Sequence, residues 1–314
     1  MTVAYNEIML LRRVPVTLLL LGLTALGLSS CLARRRGFTR PGGKTTQTLL
    51  VANLDTLLRV ITKQNDAVRD FNAALDMVPA QGSAEKNHIT EYKDIRAYIL
   101  YHKPTSIRII GLLPVVRNTA FDMVSNGVTF KLYLPTKSRF ITGRNEIEQP
   151  SKNALENLRP HHFLDAMVVR PVDTTAKLLL ENFTDEGNAF YIVHEIRESA
   201  AGQLQLLRTI WFNRLDLQLA RQFIYDPAGN ILSDARYSEW RAYDNVPFPK
   251  HIEINWPHEE SAVVMDIVKM DINKGVSDDK FVLEQPEGTT LQVVGQPAVP
   301  PAKPDPETPR GLRQ

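Results

Sequence analysis

The sequence predicts an α+β protein in which a curved antiparallel sheet of about ten strands stands beside one long early helix and short central helices. Three observations indicate this class. Residues 105–143 contain three or four consecutive strand patterns joined by tight turns. Apolar residues between positions 49 and 75 recur with helical spacing. Towards the C-terminus, turn-forming residues separate further short apolar segments.

The composition excludes several functional classes. The chain has 314 residues, a formal net charge of +2, 43% hydrophobic residues and 23% charged residues, all ordinary for a globular protein. No charge excess indicates nucleic acid, so we expect no nucleic-acid partner. The single cysteine, Cys31, excludes an internal disulfide and a cysteine-based metal site.

The N-terminus has the pattern of a secretory signal. Arg12 and Arg13 precede an apolar segment, 14–28, and small residues follow it. This segment is shorter than the roughly 20 apolar residues of a membrane span. Residues 28–31, Leu-Ser-Ser-Cys, resemble the bacterial lipobox, in which cleavage exposes the cysteine for acylation, as by palmitate. We therefore predict a signal peptide over 1–31 and lipidation of Cys31; an uncleaved anchor helix with an incidental cysteine is the alternative.

The residues after Cys31 bear on location. Position 32 is Leu. An Asp at this position would resemble the signal that retains lipoproteins in the inner membrane of enteric bacteria. The sequence therefore predicts a lipid anchor in the outer membrane, with the protein facing the periplasm or the cell surface. Residues 32–48 form a predicted flexible tether, whose four arginines contact anionic lipid headgroups or are simply solvated. Whether translation starts at Met1 or Met9 stays open.

The first regular element after the tether is a predicted amphipathic helix over 49–75, of about five to six turns. Its apolar stripe must be buried, and the sheet that follows is the expected partner. The stripe consists of Leu50, Leu54, Leu57, Leu58, Ile61 and Val68.

The strands follow from alternation and turn chemistry. Residues 79–86 break the pattern, and 89–102 then form one predicted long strand. Within 105–143, Asn126-Gly127 favours a tight hairpin turn, and 128–134 alternate between apolar and polar side chains. Further strands are predicted over 177–183, 189–196, 204–213, 217–225, 231–243, 250–256 and 262–273, short helices over 151–158 and 162–168, and a disordered Pro-rich tail over 297–314.

Motifs for common catalytic chemistry are absent from the sequence. It contains no GxGxxG, P-loop, HExxH or GxSxG pattern. Its seven histidines show no metal-ligand spacing. His161 and His162 are adjacent on a helix, His194 and Glu195 alternate across a strand, and 258–260 form a charged turn. We therefore predict no enzymatic activity, no cofactor and no metal.

The order of elements, closing in 279–288, resembles the LolA/LolB lipoprotein-carrier superfamily. Members often end in Phe-x-Leu-x-x-Pro-x-Gly, matched here by Phe281, Leu283, Pro286 and Gly288. Residues 120–127 and 130–135 also resemble a branch of uncharacterised outer-membrane lipoproteins. The resemblance covers 49–294.

The resemblance implies an open half-barrel domain over 49–296, with helices plugging its concave face. It implies that this apolar face accepts acyl chains of lipids or lipoproteins. Arg108 matches a functional strand arginine of soluble carriers only loosely. The predicted lining consists of Ile107, Ile109, Phe130, Leu132, Ile252, Ile254 and Trp256. For each of these residues, ordinary core packing is the alternative.

The resulting functional hypothesis is a membrane-anchored lipoprotein that binds lipid or acylated lipoprotein in outer-membrane lipoprotein sorting or reception. Lipid-anchored LolB-type acceptors are the better analogy, because LolA-type carriers are soluble. One alternative is a structural or envelope-assembly lipoprotein that binds a protein partner through its outer surface. Another is a sensor of mislocalised lipoproteins.

Overall fold

A computed structural model describes residues 48–83, 88–91, 93–145 and 159–294. The chain divides into two compact units, one of 1–48 and 185–188 and one of 49–184 and 189–314. In the first unit the described part includes the turn Asp185–Asn188, where the Asp185 carboxylate accepts the backbone N–H of Gly187 and of Asn188. The predicted signal peptide with Cys31, nearly all of the tether, the helix over 151–158 and the Pro-rich tail lie outside the described residues. They stay predictions.

The second unit contains a single large sheet and two α-helices among its described residues. The helices are α1 (Leu54–Asp66) and α2 (Pro160–Met167). The strands are β1 (Asp70–Ser83), β2 (His88–Glu91), β3 (Ile95–His102), β4 (Ser106–Leu112), β5 (Thr119–Ser125), β6 (Thr129–Leu134), β7 (Arg139–Arg144), β8 (Lys177–Thr184), β9 (Ala189–Glu198), β10 (Leu204–Asn213), β11 (Leu219–Tyr225), β12 (Ile231–Tyr243), β13 (Val246–Trp256), β14 (Ser261–Ile272) and β15 (Thr290–Val294).

The sheet is open, as predicted. Its strand order is β15-β7-β6-β5-β4-β3-β1-β14-β13-β12-β11-β10-β9-β8, with β2 paired to β1. The strands at the two ends of this order, β15 and β8, are not hydrogen-bonded to each other in the described structure. Every pairing is antiparallel except that of β15 with β7, which is parallel. The consecutive strands predicted within 105–143, three or four in number, are confirmed and are four, β4 to β7.

The predicted number of strands, about ten, is wrong, because the sheet has 15. The predicted single strand over 89–102 is two strands, β2 and β3. The C-terminal strand β15 was not predicted. Its five residues are Thr-Leu-Gln-Val-Val, and a segment this short forms a strand only because β7 supplies hydrogen-bonding partners.

The predicted long helix over 49–75 is not confirmed, because α1 has 13 residues and ends at Asp66. Asn53 caps its N-terminus by accepting the backbone N–H of Thr56. From Phe71 onward the buried positions alternate with period two, and this alternation belongs to β1. Val68 continues the helical spacing by coincidence and is buried in the link between the two elements.

The predicted break over 79–86 is also wrong for its first half, because β1 runs on to Ser83. Pro79 has no backbone N–H to donate to a neighbouring strand. It is tolerated because β3 pairs with β1 only as far as Met77 and β2 begins pairing at Ala80. Pro79 therefore lies where that side of β1 has no partner strand.

The sheet has two unlike faces. We name the covered face for the side that carries the main apolar cluster and α1 and α2, and the outer face for the opposite side. On the outer face, the Arg108 guanidinium donates to both carboxylate oxygens of Asp122 at 2.9 and 2.6 Å, and to the Lys280 carbonyl at 2.8 Å. Lys131 donates to the Leu283 carbonyl at 2.9 Å. These bonds fasten the segment before β15 across the outer face.

Candidate functional site

The structure brings all seven predicted lining residues together. They lie on β4, β6 and β13, and each has a relative exposure of 2% or less. All belong to one buried apolar cluster on the covered face. The alternation in these strands therefore identified one continuous surface, although the strands are far apart in the sequence. Whether this surface binds acyl chains stays a prediction.

Helix α1 covers part of this face. Leu57 and Ile61 are fully buried in the cluster, and Leu54 and Leu58 pack against it while partly exposed. Leu50, the first residue of the predicted stripe, precedes the helix and is 41% exposed. The stripe is therefore buried as predicted over the length of α1.

Helix α2 covers a second part and begins at Pro160, a residue suited to the first helical position. The Phe163 ring packs against Trp256, with centroids 5.1 Å apart. The Tyr237 hydroxyl donates to the Ala166 carbonyl at 2.8 Å. Just before the helix, the Arg159 guanidinium lies 4.1 Å from the centroid of Phe130. Two of the seven predicted residues are thus capped directly by α2 or the residue before it.

A cavity of about 580 Å³ opens beside these helices. We name it the α1–α2 cavity; it lies between the end of α1, the β3–β4 and β5–β6 turns, and α2. Gly127 lines it with a φ of +93°, and a Cβ there would lie 2.6 Å from Thr105. Its remaining lining residues are Asn65, Tyr101, Lys103, Pro104, Asn145, His161, Leu164, Asp165, Val168, Arg170 and Pro171.

The charged groups around the α1–α2 cavity have protein partners. The Lys103 ammonium lies 2.9 Å from the Asn65 side-chain oxygen and 3.5 Å from the Asp66 carboxylate. The Arg170 guanidinium lies 3.3 Å from Asp165. Burial raises the pKa of Asp165, opposed by the charge of Arg170.

The two adjacent histidines of α2 are held neutral. Burial and the nearby Arg159 and Arg170 lower the pKa of His161 to about 4. Burial, followed by the charges of His161 and Arg159, also lowers the pKa of His162. Their ring centroids lie 4.2 Å apart, so the two adjacent side chains contact each other. Both therefore serve as neutral hydrogen-bonding or packing groups at pH 7.

A second cavity, of about 460 Å³, is lined by charged residues that the sequence analysis did not single out as site residues. Arg208 and Glu195 form an ion pair at 2.7 Å on the covered face, with side-chain exposures of 11% and 7%. Arg208 also donates to the carbonyls of Arg170 and Pro171, at 2.8 and 3.3 Å. The pair thus fastens the segment after α2 to the sheet.

The sequence contains a signal for this ion pair, namely charged residues at positions where apolar ones are expected, but it does not show that the two residues lie opposite each other. Glu195 follows Tyr191 and Val193 at every second position, so a carboxylate stands where the strand pattern expects an apolar residue. Arg208 lies beyond a bulge in β10, where the register shifts between Leu206 and Arg208. Alternation with the buried Ile210 and Phe212 places Arg208 on the covered face, but the bulge shifts the register, so alternation alone does not show that Arg208 lies opposite Glu195.

The other charged residues considered in the sequence analysis make local contacts within strands and turns. His194 and Glu195 face opposite sides as predicted, with His194 bonded to Glu181 at 2.9 Å. Residues 257–259 form a 3₁₀ turn followed by Glu260, which agrees with the predicted turn. Among the residues that the structure describes, no group of three or more His, Cys, Asp or Glu is placed to hold a metal ion. No helix in the described ranges is long and apolar enough to cross a membrane.

The fold was compared with known proteins. No protein-family model matches the sequence, and the curated proteins contain no match to it. Solved structures with a similar fold include a DUF1329 family protein from Desulfovibrio piger, at 16% identity and a TM-score of 0.49, covering 74% of this chain and 98% of that one.

Two further solved structures are also similar to this chain. A LolA superfamily protein from Nitrosomonas europaea has 15% identity and a TM-score of 0.47, covering 72% of this chain and 97% of that one. A Vibrio parahaemolyticus domain described as an outer membrane lipoprotein-sorting protein has 13% identity and a TM-score of 0.45, covering 73% and 97%. At these identities and scores, the likeness carries no inference about ligand or activity.

Proposed function

We propose that the protein is a non-enzymatic, lipid-anchored outer-membrane lipoprotein that binds acyl chains of lipids or lipoproteins on its covered face. The observation that carries this proposal is the convergence of all seven predicted residues in one apolar cluster beneath two short helices. Binding an acyl chain requires apolar area shielded from water and no catalytic group. A role in lipoprotein sorting or reception, with the anchor at Cys31, is consistent with this chemistry.

For a chain to enter, α1 or α2 must move away from the sheet. Both are short, and isolated helices below about 12–15 residues are marginal in water, so each depends on its contacts with the sheet. Helix α2 has 8 residues and α1 has 13. An acyl chain that replaces the helix contacts with its own would offset the apolar area exposed by this movement.

The two faces of the sheet allow a direct fluorescence test. Trp256 belongs to the apolar cluster, whereas Trp211 lies on the outer face, with its ring centroid 5.3 Å from that of Phe190. The full chain is titrated with bromostearate, whose bromine atoms quench tryptophan emission on contact. Trp240 also packs against the cluster, so both variants are made on a Trp240→Phe background. We expect quenching in the wild type and in Trp211→Phe on this background, and much weaker quenching in Trp256→Phe. Equal quenching in both variants, or none in the wild type, would refute binding on the covered face.

A second candidate function is envelope assembly through a protein partner on the outer surface. It is favoured by half-buried aromatic rings on the outer face, where Phe183, Phe190 and Phe223 surround Trp211 at centroid distances of 5.8, 5.3 and 6.5 Å. Crosslinking in intact membranes separates the two functions. A single dominant protein crosslinked beside Trp211, together with no bromostearate quenching, would favour the assembly role.

A further inference from the structure

The α1–α2 cavity contains two buried polar atoms that have no hydrogen-bond partner in the described part of the chain, the Asn145 Oδ1 and the His161 Nδ1. We propose that this cavity binds a neutral, hydroxyl-bearing headgroup, such as glycerol or a sugar, of the lipid whose acyl chain occupies the covered face. The inference rests on the proposed function and adds the chemical class of the headgroup.

The amide of Asn145 is held in place with its oxygen unused. Asn145 is 5% exposed, and its Nδ2 donates to the Ser125 hydroxyl at 2.9 Å. Its backbone N–H donates to the Val128 carbonyl at 2.9 Å. Rotating the amide by 180° would keep a bond to Ser125, because a hydroxyl donates as well as accepts, and would leave the amide nitrogen instead of the oxygen unpaired. A buried polar atom without a partner costs free energy, so in either orientation the Asn145 amide indicates a ligand that supplies one more hydrogen bond.

The other groups in the cavity favour a neutral ligand over an ion. His161 is neutral at pH 7, so its Nδ1 accepts or donates a hydrogen bond according to its tautomer. The two cationic side chains, Lys103 and Arg170, already lie beside Asp66 and Asp165. The charged side chains of the cavity are therefore already paired, whereas two of its neutral side chains each have a polar atom without a hydrogen-bond partner in the described residues. A hydroxyl both donates and accepts, and it satisfies either atom.

The cavity is continuous with the apolar cluster. Tyr101, Leu164 and Val168 line it, and all three belong to the cluster on the covered face. A headgroup at Asn145 and His161 would therefore have its acyl chain directed towards apolar side chains and away from water. One amphiphile satisfies both the neutral polar atoms and the apolar surface.

The test compares ligands that share one acyl chain. The full chain, in an amine-oxide detergent that contains no hydroxyl groups, is titrated with monooleoylglycerol, methyl oleate and oleate, and bound ligand is counted by native mass spectrometry. We expect monooleoylglycerol to bind about tenfold more tightly than either of the others, as the gain of hydrogen bonds to buried groups implies. Equal binding of methyl oleate, tighter binding of oleate, or equal binding of free glycerol would overturn the inference.

Variants locate the effect in the cavity. Asn145→Leu removes the acceptor and should abolish the preference for monooleoylglycerol, whereas Asn145→Asp keeps an acceptor of almost the same shape and should retain it. Asn255→Leu is the matched control, since Asn255 is exposed on β13. His161→Leu should weaken the preference, and the exposed His258→Leu should not. A preference that survives Asn145→Leu, or is lost equally in Asn145→Asp, would contradict the assignment.

The two proposals fail in different ways. If all three oleoyl ligands bind equally and brominated analogues quench Trp256, the headgroup assignment is wrong and acyl binding on the covered face stands. If no ligand binds and Trp256 is never quenched, both proposals are wrong.

Discussion

The covered and outer faces of the same strands differ in how their polar side chains are paired. On the outer face, charged side chains pair with one another: Asp234 accepts from Arg221 at 2.6 Å and from Arg236 at 3.2 Å. On the covered face, apolar side chains dominate, and the unsatisfied atoms that border the α1–α2 cavity are neutral. Within the described residues the outer face also has a cavity, of about 310 Å³, and an unpaired polar atom, the Trp211 Nε1, so the two faces differ in how their charges are paired and in how much apolar surface they carry.

The cations of these pairs differ in solvent access: the Arg221 and Arg236 side chains are 30% and 54% exposed, whereas that of Arg208 is 11% exposed. Charged pairs near water keep much of their hydration and contribute little to stability. A charge under a helix loses its hydration and must find a close partner. The covered face accordingly tolerates the largely buried pair of Arg208 and Glu195 together with carbonyl acceptors. The following predictions test this contrast through one charged residue on the covered face and two on the outer face.

The largest effect is expected on the covered face. Arg208→Met leaves the Glu195 carboxylate buried without its cation, which should lower the free energy of unfolding by about 3 kcal/mol in urea denaturation. The double variant Arg208→Met with Glu195→Leu should recover most of this loss, because no buried charge then remains unpaired. Lys177→Met, which breaks the exposed pair with Glu198, should leave the midpoint unchanged. A single-variant loss no larger than that of Lys177→Met would contradict the contrast.

An intermediate effect is expected where the segment before β15 lies across the outer face. Arg108→Ala removes the paired bonds to Asp122 and the bond to the Lys280 carbonyl, with an expected loss of about 2 kcal/mol. Limited proteolysis should then cut the chain between the 3₁₀ turn at Asp278–Phe281 and β15 faster than in the wild type. Arg241→Ala, on an exposed arginine, serves as the control. Unchanged cleavage together with unchanged stability would show that Arg108 does not hold this segment.

The smallest effect concerns pH on the outer face. Burial lowers the pKa of His251, but its bonds to Asp266 and Glu253 outweigh burial and raise it overall. A raised pKa in the folded state stabilises the fold below the unfolded pKa of about 6.5, and this contribution is lost as pH rises through the raised value. Between about pH 5.5 and about pH 8.5, the wild type should lose up to about 1 kcal/mol relative to His251→Gln. Parallel pH profiles of the two proteins at low salt would exclude this contribution.

The sequence predicted much of the sheet because alternation is local. The bounds of β10 and β12 agree with the predicted 204–213 and 231–243. It also identified all seven cluster residues, since each stands at an apolar position of an alternating strand. It failed for the helix over 49–75, because Val68, in the link between α1 and β1, extends the helical spacing beyond the end of the helix. It failed for β15, whose five residues carry too weak a pattern.

What the sequence determined by itself is the set of local elements, the polarity of their two faces, and the chemical pattern around Cys31 that predicts a lipid anchor. These depend on backbone preferences and side-chain periods over a few residues. Only the tertiary structure decided the parallel pairing of β15 with β7, the register beside the bulge in β10 that sets Arg208 opposite Glu195, and the shared cavity of Asn145 and His161. Each of these joins segments distant in sequence, and their contact is set by the packing of the whole sheet rather than by any local pattern.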